Sequence, residues 1–202
     1  MNQKELENLQ RYIYKRPQNQ SVQDIINRIE KENKKEKLTQ EEWNKLLIPS
    51  CSGMIPELLK WLLNNGAKII GDSVDLANMI IGSQEKRLKY LEKRIELLEI
   101  LLANIEKQYS NVFLGTALLN ACWYNNIYIV PYLVGKGADV NFESSNGKTP
   151  YECAKNYGER FGDYTLHNYL KNYVESGKFE NPKKFYSEVD KIFGDVVYKP
   201  NK

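Results

Sequence analysis

Few side chains in this sequence are suited to chemistry: one histidine, His167, and three cysteines, Cys51, Cys122 and Cys153. His167 could act only as a lone general base, with Asp163 four residues earlier as the nearest group able to orient it. A cysteine nucleophile needs an adjacent base, and the residues that follow Cys153, including Asn156 and Tyr157, supply none. A zinc site needs clustered Cys and His, yet there is no Cys-x-x-Cys and only one histidine. Gly135-Lys136-Gly137 has no strand before it and so is not a phosphate loop. No serine stands in a Gly-x-Ser-x-Gly setting. The sequence therefore reads as non-enzymatic, with no catalytic residue, no metal, no cofactor and no small-molecule substrate.

Charge excludes further classes. The net charge is +3 and 27% of residues are charged, with both signs interspersed. Lys31, Lys34, Lys35 and Lys37 alternate with Glu30, Glu32 and Glu36, the pattern of a solvated helix face. Nucleic-acid binding would call for a one-signed stripe, so no nucleic-acid partner is expected. The N-terminus is polar, and the apolar segment 95–105 is broken by Glu96, Glu99 and Asn104, so no membrane partner is expected and the chain reads as cytoplasmic. Free cysteines suit a reducing compartment.

The elements that position these residues follow a repeat. Leu46–Ser50, Met79–Ser83, Ala117–Ala121 and Pro150–Ala154 share one pattern, with starts 33, 38 and 33 residues apart. Such a period signals a solenoid of helix pairs, which offers an extended binding surface rather than a catalytic cleft. Cys51 and Cys122 fall at equivalent places and read as buried small hydrophobes, and Cys153 reads as buried too.

The last two repeats carry the most specific motifs: Gly115-Thr116-Ala117-Leu118, then Val130-x-x-Leu133 and Gly137-Ala138-Asp139-Val140-Asn141, then Gly147-Lys148-Thr149-Pro150-Tyr151. These resemble the ankyrin repeat. The resemblance implies an all-α, ankyrin-like solenoid of about four helix-turn-helix repeats with helical N- and C-terminal caps. Thr116 and Thr149 take the place of helix N-caps, and Pro150 the first helical position. Ser50, Ser83, Ala121 and Ala154 let first helices approach closely. Gly66 and Gly137 end second helices at positive φ, and Asn125 holds a left-handed place usually given to glycine.

The expected divisions are 1–38 as N-terminal cap, 39–178 as repeats (39–77, 78–115, 116–148 and 149–178), and 179–202 as C-terminal capping helix and tail. Leu6, Leu9 and Ile13 mark a helix that Pro17 stops. Ser21 with Asp24, and Thr39 with Glu42, form capping boxes. Leu88, Leu91, Ile95, Leu98 and Leu102 predict a long helix to Ile105, after an insertion near 85–89. Matching Tyr173-Val174 with Leu133-Val134 predicts about seven inserted residues around 157–163, forming an aromatic and glycine-rich loop to Tyr164. Phe185, Val189, Ile192 and Phe193 predict the last helix.

In the ankyrin family, partners meet the turn tips and the exposed face of the first helices. Carried onto this chain, those positions are Trp123, Tyr124, Asn156 and Tyr157, with Glu143, Ser145, Asn146 and Lys148 in the intervening turn. Exposed aromatics there would serve as anchors; the competing reading packs these rings on the next repeat. The expected function is binding of one protein partner, in concrete form as an immunity protein that neutralises a bacterial toxin. The alternatives are a secreted effector that binds a host protein, and an enzyme's regulatory subunit.

Overall fold

The structure, a computed structural model, describes residues 3–15, 20–71, 74–81 and 91–176. No strand occurs among them; their regular structure is all helical. Helices α1 (Gln3–Tyr14) and α2 (Val22–Lys35) come first. α1 buries Leu6, Leu9 and Ile13, the stripe expected from their spacing. Ser21 caps α2 through a reciprocal capping box with Asp24, and Ile25, Ile26 and Ile29 face inward.

Thr39 and Glu42 form the second expected capping box, but the helix that they start is short. It divides into α3 (Gln40–Lys45) and α4 (Leu47–Ser52). The cause is Pro49, which has no N–H to donate to the carbonyl of Lys45. Gln10 of α1 fills the gap, its Nε2 donating to that carbonyl at 3.0 Å.

α5 (Pro56–Asn64), α6 (Val74–Ile81) and α7 (Leu91–Asn104) follow. A short 3₁₀ turn (Lys107–Tyr109) leads into α8 (Ser110–Trp123). The chain closes with α9 (Val130–Gly135), α10 (Pro150–Phe161) and α11 (Thr165–Ser176). α1, α4, α6, α8 and α10 form a row in which each helix packs on the next. Beside it, α2 packs on α5 and α5 on α7. The small residues Ser50, Ala121 and Ala154 are buried within the row, as is each of the three thiols. Close packing of this kind leaves no room for a larger side chain at those positions.

Two pairs of turns share one hydrogen-bond pattern. After α4, Met54 N–H donates to Cys51 and Ile55 N–H to Ser50, at 3.1 and 3.0 Å. After α8, Asn125 N–H donates to Cys122 and Asn126 N–H to Ala121, at 3.1 and 2.7 Å. Met54 and Asn125 have φ values of 53° and 50°. The ends of α5 and α9 match likewise. Ala67 N–H donates to Leu62 and Ala138 N–H to Leu133, both at 3.0 Å, across Gly66 and Gly137 at positive φ. These are the left-handed helix ends that glycine and asparagine favour. Asparagine was legible at Asn125, whereas methionine at Met54 gave no such signal.

Several expectations are corrected. Thr116 is no N-cap: it lies inside α8, which begins at Ser110. Gly115 beside it opens no turn either; a Cβ there would fall within the ring of Phe142, so its role is close approach. Met79 is exposed, so the expected Met79-Ile80 pair does not match the buried Ala117-Leu118; instead the buried pairs Leu76-Ala77 and Ile80-Ile81 repeat the spacing of Ala117-Leu118 and Ala121-Cys122. In α11 the buried residues are Leu166, Tyr169 and Leu170, matching Val130, Leu133 and Val134 of α9, while Val174 is exposed. The added length is then three residues rather than about seven. It does not form a loop, because residues 157–161 are helical in α10 and only Gly162-Asp163-Tyr164 turn the chain.

α7 buries Leu91, Arg94, Leu97, Leu98, Ile100 and Leu101, a broader face than the predicted stripe, with Ile95 and Leu102 only half-buried. It packs on both α5 and α6, so it needs apolar surface on two sides. The expectations for Pro17, Ser83, residues 85–89, Leu88 and the helix 182–193 lie outside the described residues.

Candidate functional site

The C-terminal end of α8 presents Trp123 and Tyr124, 48% and 37% exposed. They are held by the turn that follows. Asn125 takes the left-handed conformation, and its Nδ2 donates to Asp163 Oδ2 at 2.9 Å. Asp163 also accepts the N–H of Thr165 through Oδ1 at 3.1 Å, so one carboxylate ties the α8 turn to the start of α11. The competing reading, in which both rings pack away, does not hold for Trp123 or Tyr124.

The loop 141–149 supplies the next wall. Phe142 lies against Gly115 of α8 and anchors the loop. Ser144 organises it: its N–H and Oγ both donate to the carbonyl of Lys148, at 3.0 and 2.9 Å, and its Oγ accepts the Lys148 N–H at 3.1 Å. Lys148 is thereby set with its Nζ 4.4 Å from the centre of the Trp123 ring, a cation–π contact. Thr149 then caps α10. Its Oγ1 accepts the Glu152 N–H at 3.2 Å while Glu152 Oε2 accepts the Thr149 N–H at 3.0 Å.

Capping fixes where α10 starts, and helical periodicity does the rest. Cys153, Asn156, Tyr157, Arg160 and Phe161 recur at three- and four-residue steps and share one face. The Tyr157 and Phe161 rings lie 4.6 Å apart, and the Arg160 guanidinium is 5.5 Å from the Phe161 ring. Together with Trp123, Tyr124 and Lys148 they line an open groove of about 540 Å³.

Five residues singled out in the sequence thus converge: Trp123, Tyr124, Lys148, Asn156 and Tyr157. Glu143, Ser145 and Asn146 are exposed in the same loop but do not line the groove. Three further residues line the groove: Cys153, which the sequence suggests only as a buried thiol, and Arg160 and Phe161, which it suggests in a loop rather than on this helix face. The last two follow from Tyr157 by helical spacing once the helix is known to continue past it, and the glycine at 158 hid that continuation. Gly158 is buried inside α10, where a Cβ would meet the ring of Tyr164.

The remaining chemistry-bearing groups are poorly placed for catalysis. Burial pushes the Cys51 thiol up to about 12 and Cys122 well above its ordinary value. Cys153 is also raised, by burial first, with Lys148 opposing and Glu152 adding. Such thiols hold their protons and are weak nucleophiles. The His167 ring stacks 4.8 Å from Tyr151 and lies 6.1 Å from Tyr164. Burial lowers its pKa, Lys171 and Lys155 lower it further, and Glu159 opposes. Its Nδ1 is buried with no hydrogen-bond partner. Asp163, the only orienting group offered by the sequence, is bonded to Asn125 and Thr165. Among the described residues no group of three or more His, Cys, Asp or Glu could hold a metal ion. No helix among them is long and apolar enough to cross a membrane.

No protein-family model matches this chain, and no curated protein does.

Proposed function

We propose that this protein is a non-enzymatic binding module that holds one partner protein in the groove between α8, the loop 141–149 and α10. The observation that carries this reading is the convergence of exposed Trp123 and Tyr124 with Lys148, Asn156 and Tyr157 on one open surface. Aromatic rings bury large areas at low entropic cost and dominate interface energetics. The half-exposed indole of Trp123, steadied by Lys148, suits an anchor.

An ankyrin-like repeat array is the proposed scaffold. Its support is the row α4, α6, α8 and α10, the paired left-handed turns at Met54 and Asn125, and those at Gly66 and Gly137. Further support is the Thr149–Pro150 helix start. α1 packs on α4 and α2 on α5, which suits an N-terminal cap over the first helix pair. In its most concrete form the protein is a cytoplasmic immunity protein that neutralises a bacterial toxin by forming a tight one-to-one complex.

The test is affinity capture from the source cell with the intact protein and with a Trp123→Ala/Tyr124→Ala variant, followed by mass spectrometry. A single stoichiometric protein captured by the first and lost with the second supports the reading, and a toxin gene beside this one supports the concrete form. A partner captured equally by both rejects the groove. Both rings are only partly covered, so the variant should stay folded at a cost of about 1–2 kcal/mol per ring, which circular dichroism and urea unfolding check.

A further inference from the structure

The groove carries a charge asymmetry that the chain as a whole does not. None of its eight lining residues is acidic, while Lys148 and Arg160 are cationic. The nearest carboxylates in sequence are occupied. Glu152 accepts from the N–H and the Oγ1 of Thr149, both at 3.0 Å. Glu159 pairs with Lys155 at 3.6 Å, and Asp163 accepts from Asn125 and Thr165. Among the described residues neither Lys148 nor Arg160 has a carboxylate within ion-pair distance; their neighbours are the rings of Trp123 and Phe161.

We propose that the groove takes an acidic segment of the partner protein, one in which a carboxylate lies next to an apolar side chain. This rests on the reading of the groove as a protein-binding site. The carboxylate engages Lys148 and the Arg160 guanidinium, which can bind it in a fork geometry. The apolar side chain enters the aromatic space bounded by Trp123, Tyr157 and Phe161. Asn156, exposed on the same helix face, is available to hydrogen-bond the segment's backbone. Both cations already sit beside aromatic faces, so less side-chain freedom is lost on binding.

Aromatics with cations can also stack single-stranded nucleic acid. That partner needs a basic track along several phosphates, whereas this groove has two cations and is flanked by exposed Glu143, Glu152 and Glu159. A short acidic segment needs only the two cations that line the groove.

The test selects a phage-displayed library of random short peptides on the intact protein, with Lys148→Glu/Arg160→Glu as counter-target. Circular dichroism establishes that the variant is folded, and Lys148→Gln/Arg160→Gln replaces it if it is not. Recovered peptides are then titrated by fluorescence anisotropy, alongside oligothymidylate. The expected peptides carry Asp or Glu beside Phe, Leu or Trp, and each single charge reversal weakens them about tenfold. Their binding should weaken with added salt. Groove-dependent peptides that are neutral or basic overturn the acidic segment and leave the protein-binding reading standing. Failure to recover any groove-dependent peptide, or tighter binding of oligothymidylate than of every peptide, overturns both.

Discussion

Replacing Asn125 tests the link between a backbone conformation and the groove it supports. Two separable contributions act at this residue. Its backbone lies at φ 50°, where a residue with a Cβ costs about 1–2 kcal/mol unless it is glycine or, to a lesser extent, asparagine. Its side chain donates to the Asp163 carboxylate at 2.9 Å, in a partly buried setting. A hydrogen bond to a charged group contributes about 1.5–3 kcal/mol, and partial exposure argues for the lower end. Asn125→Gly keeps the conformation and removes the bond, so it should destabilise by about 1.5–2 kcal/mol, including the extra freedom of the unfolded glycine chain. Asn125→Ala loses both and should cost about 3 kcal/mol. Urea unfolding followed by circular dichroism, with the slope unchanged, measures each. Equal stability of the two variants would refute the left-handed contribution. A glycine variant as stable as the parent would refute the Asp163 bond. Partner affinity should fall in both variants, because Trp123 and Tyr124 immediately precede this turn.

Two threonines that the sequence pattern makes equivalent should respond with opposite signs. Thr149→Ala removes a capping box and should cost about 1 kcal/mol, whereas Thr116→Ala, inside α8, should be neutral or stabilising by up to about 0.5 kcal/mol; urea midpoints decide. The thiols should react slowly with a disulfide reagent in the native protein and rapidly in urea, since burial raises all three pKa values. Fast native labelling of Cys51 or Cys122 would contradict this, and a bound partner should slow any reaction at Cys153, which lines the groove. His167 should make the fold acid-sensitive. As pH falls through the ordinary histidine value of 6.5, the unfolded chain takes up a proton that folded His167 resists. Its contribution is therefore complete above that pH and is lost progressively below it. His167→Gln should flatten this part of the curve of urea midpoint against pH, and parallel curves would refute the assignment.

Much of the local structure was legible because it depends on neighbours a few residues apart. The capping boxes at Ser21, Thr39 and Thr149 need only a hydroxyl and a carboxylate three residues on. The left-handed ends at Gly66, Asn125 and Gly137 need only a residue that tolerates positive φ. Five groove residues were reached only by carrying the contact positions of the resembled family, turn tips and first-helix faces, onto this chain. The errors arose where a local signal was overruled. Thr116 looks like Thr149, but residues 110–115 extend α8 past it. Gly158 and Gly162 look like a loop, yet only Gly162 turns the chain, at φ 75°.

By itself, then, the sequence determined the helical class, the caps, most helix ends and the burial of the three cysteines, all consequences of short-range periodicity and hydrogen bonding. Tertiary structure alone decided how a broken helix is satisfied, which glycines serve close packing and what completes the groove. Pro49 interrupts a helix whose open carbonyl is met by Gln10 from another element. Gly115 and Gly158 are required by rings that approach from Phe142 and Tyr164. Arg160 and Phe161 join Trp123 only because α10 packs against α8. Apart from the approach of Tyr164 to Gly158, six residues away, each of these depends on contact between surfaces distant in the chain, and such contact leaves no periodic trace in either segment.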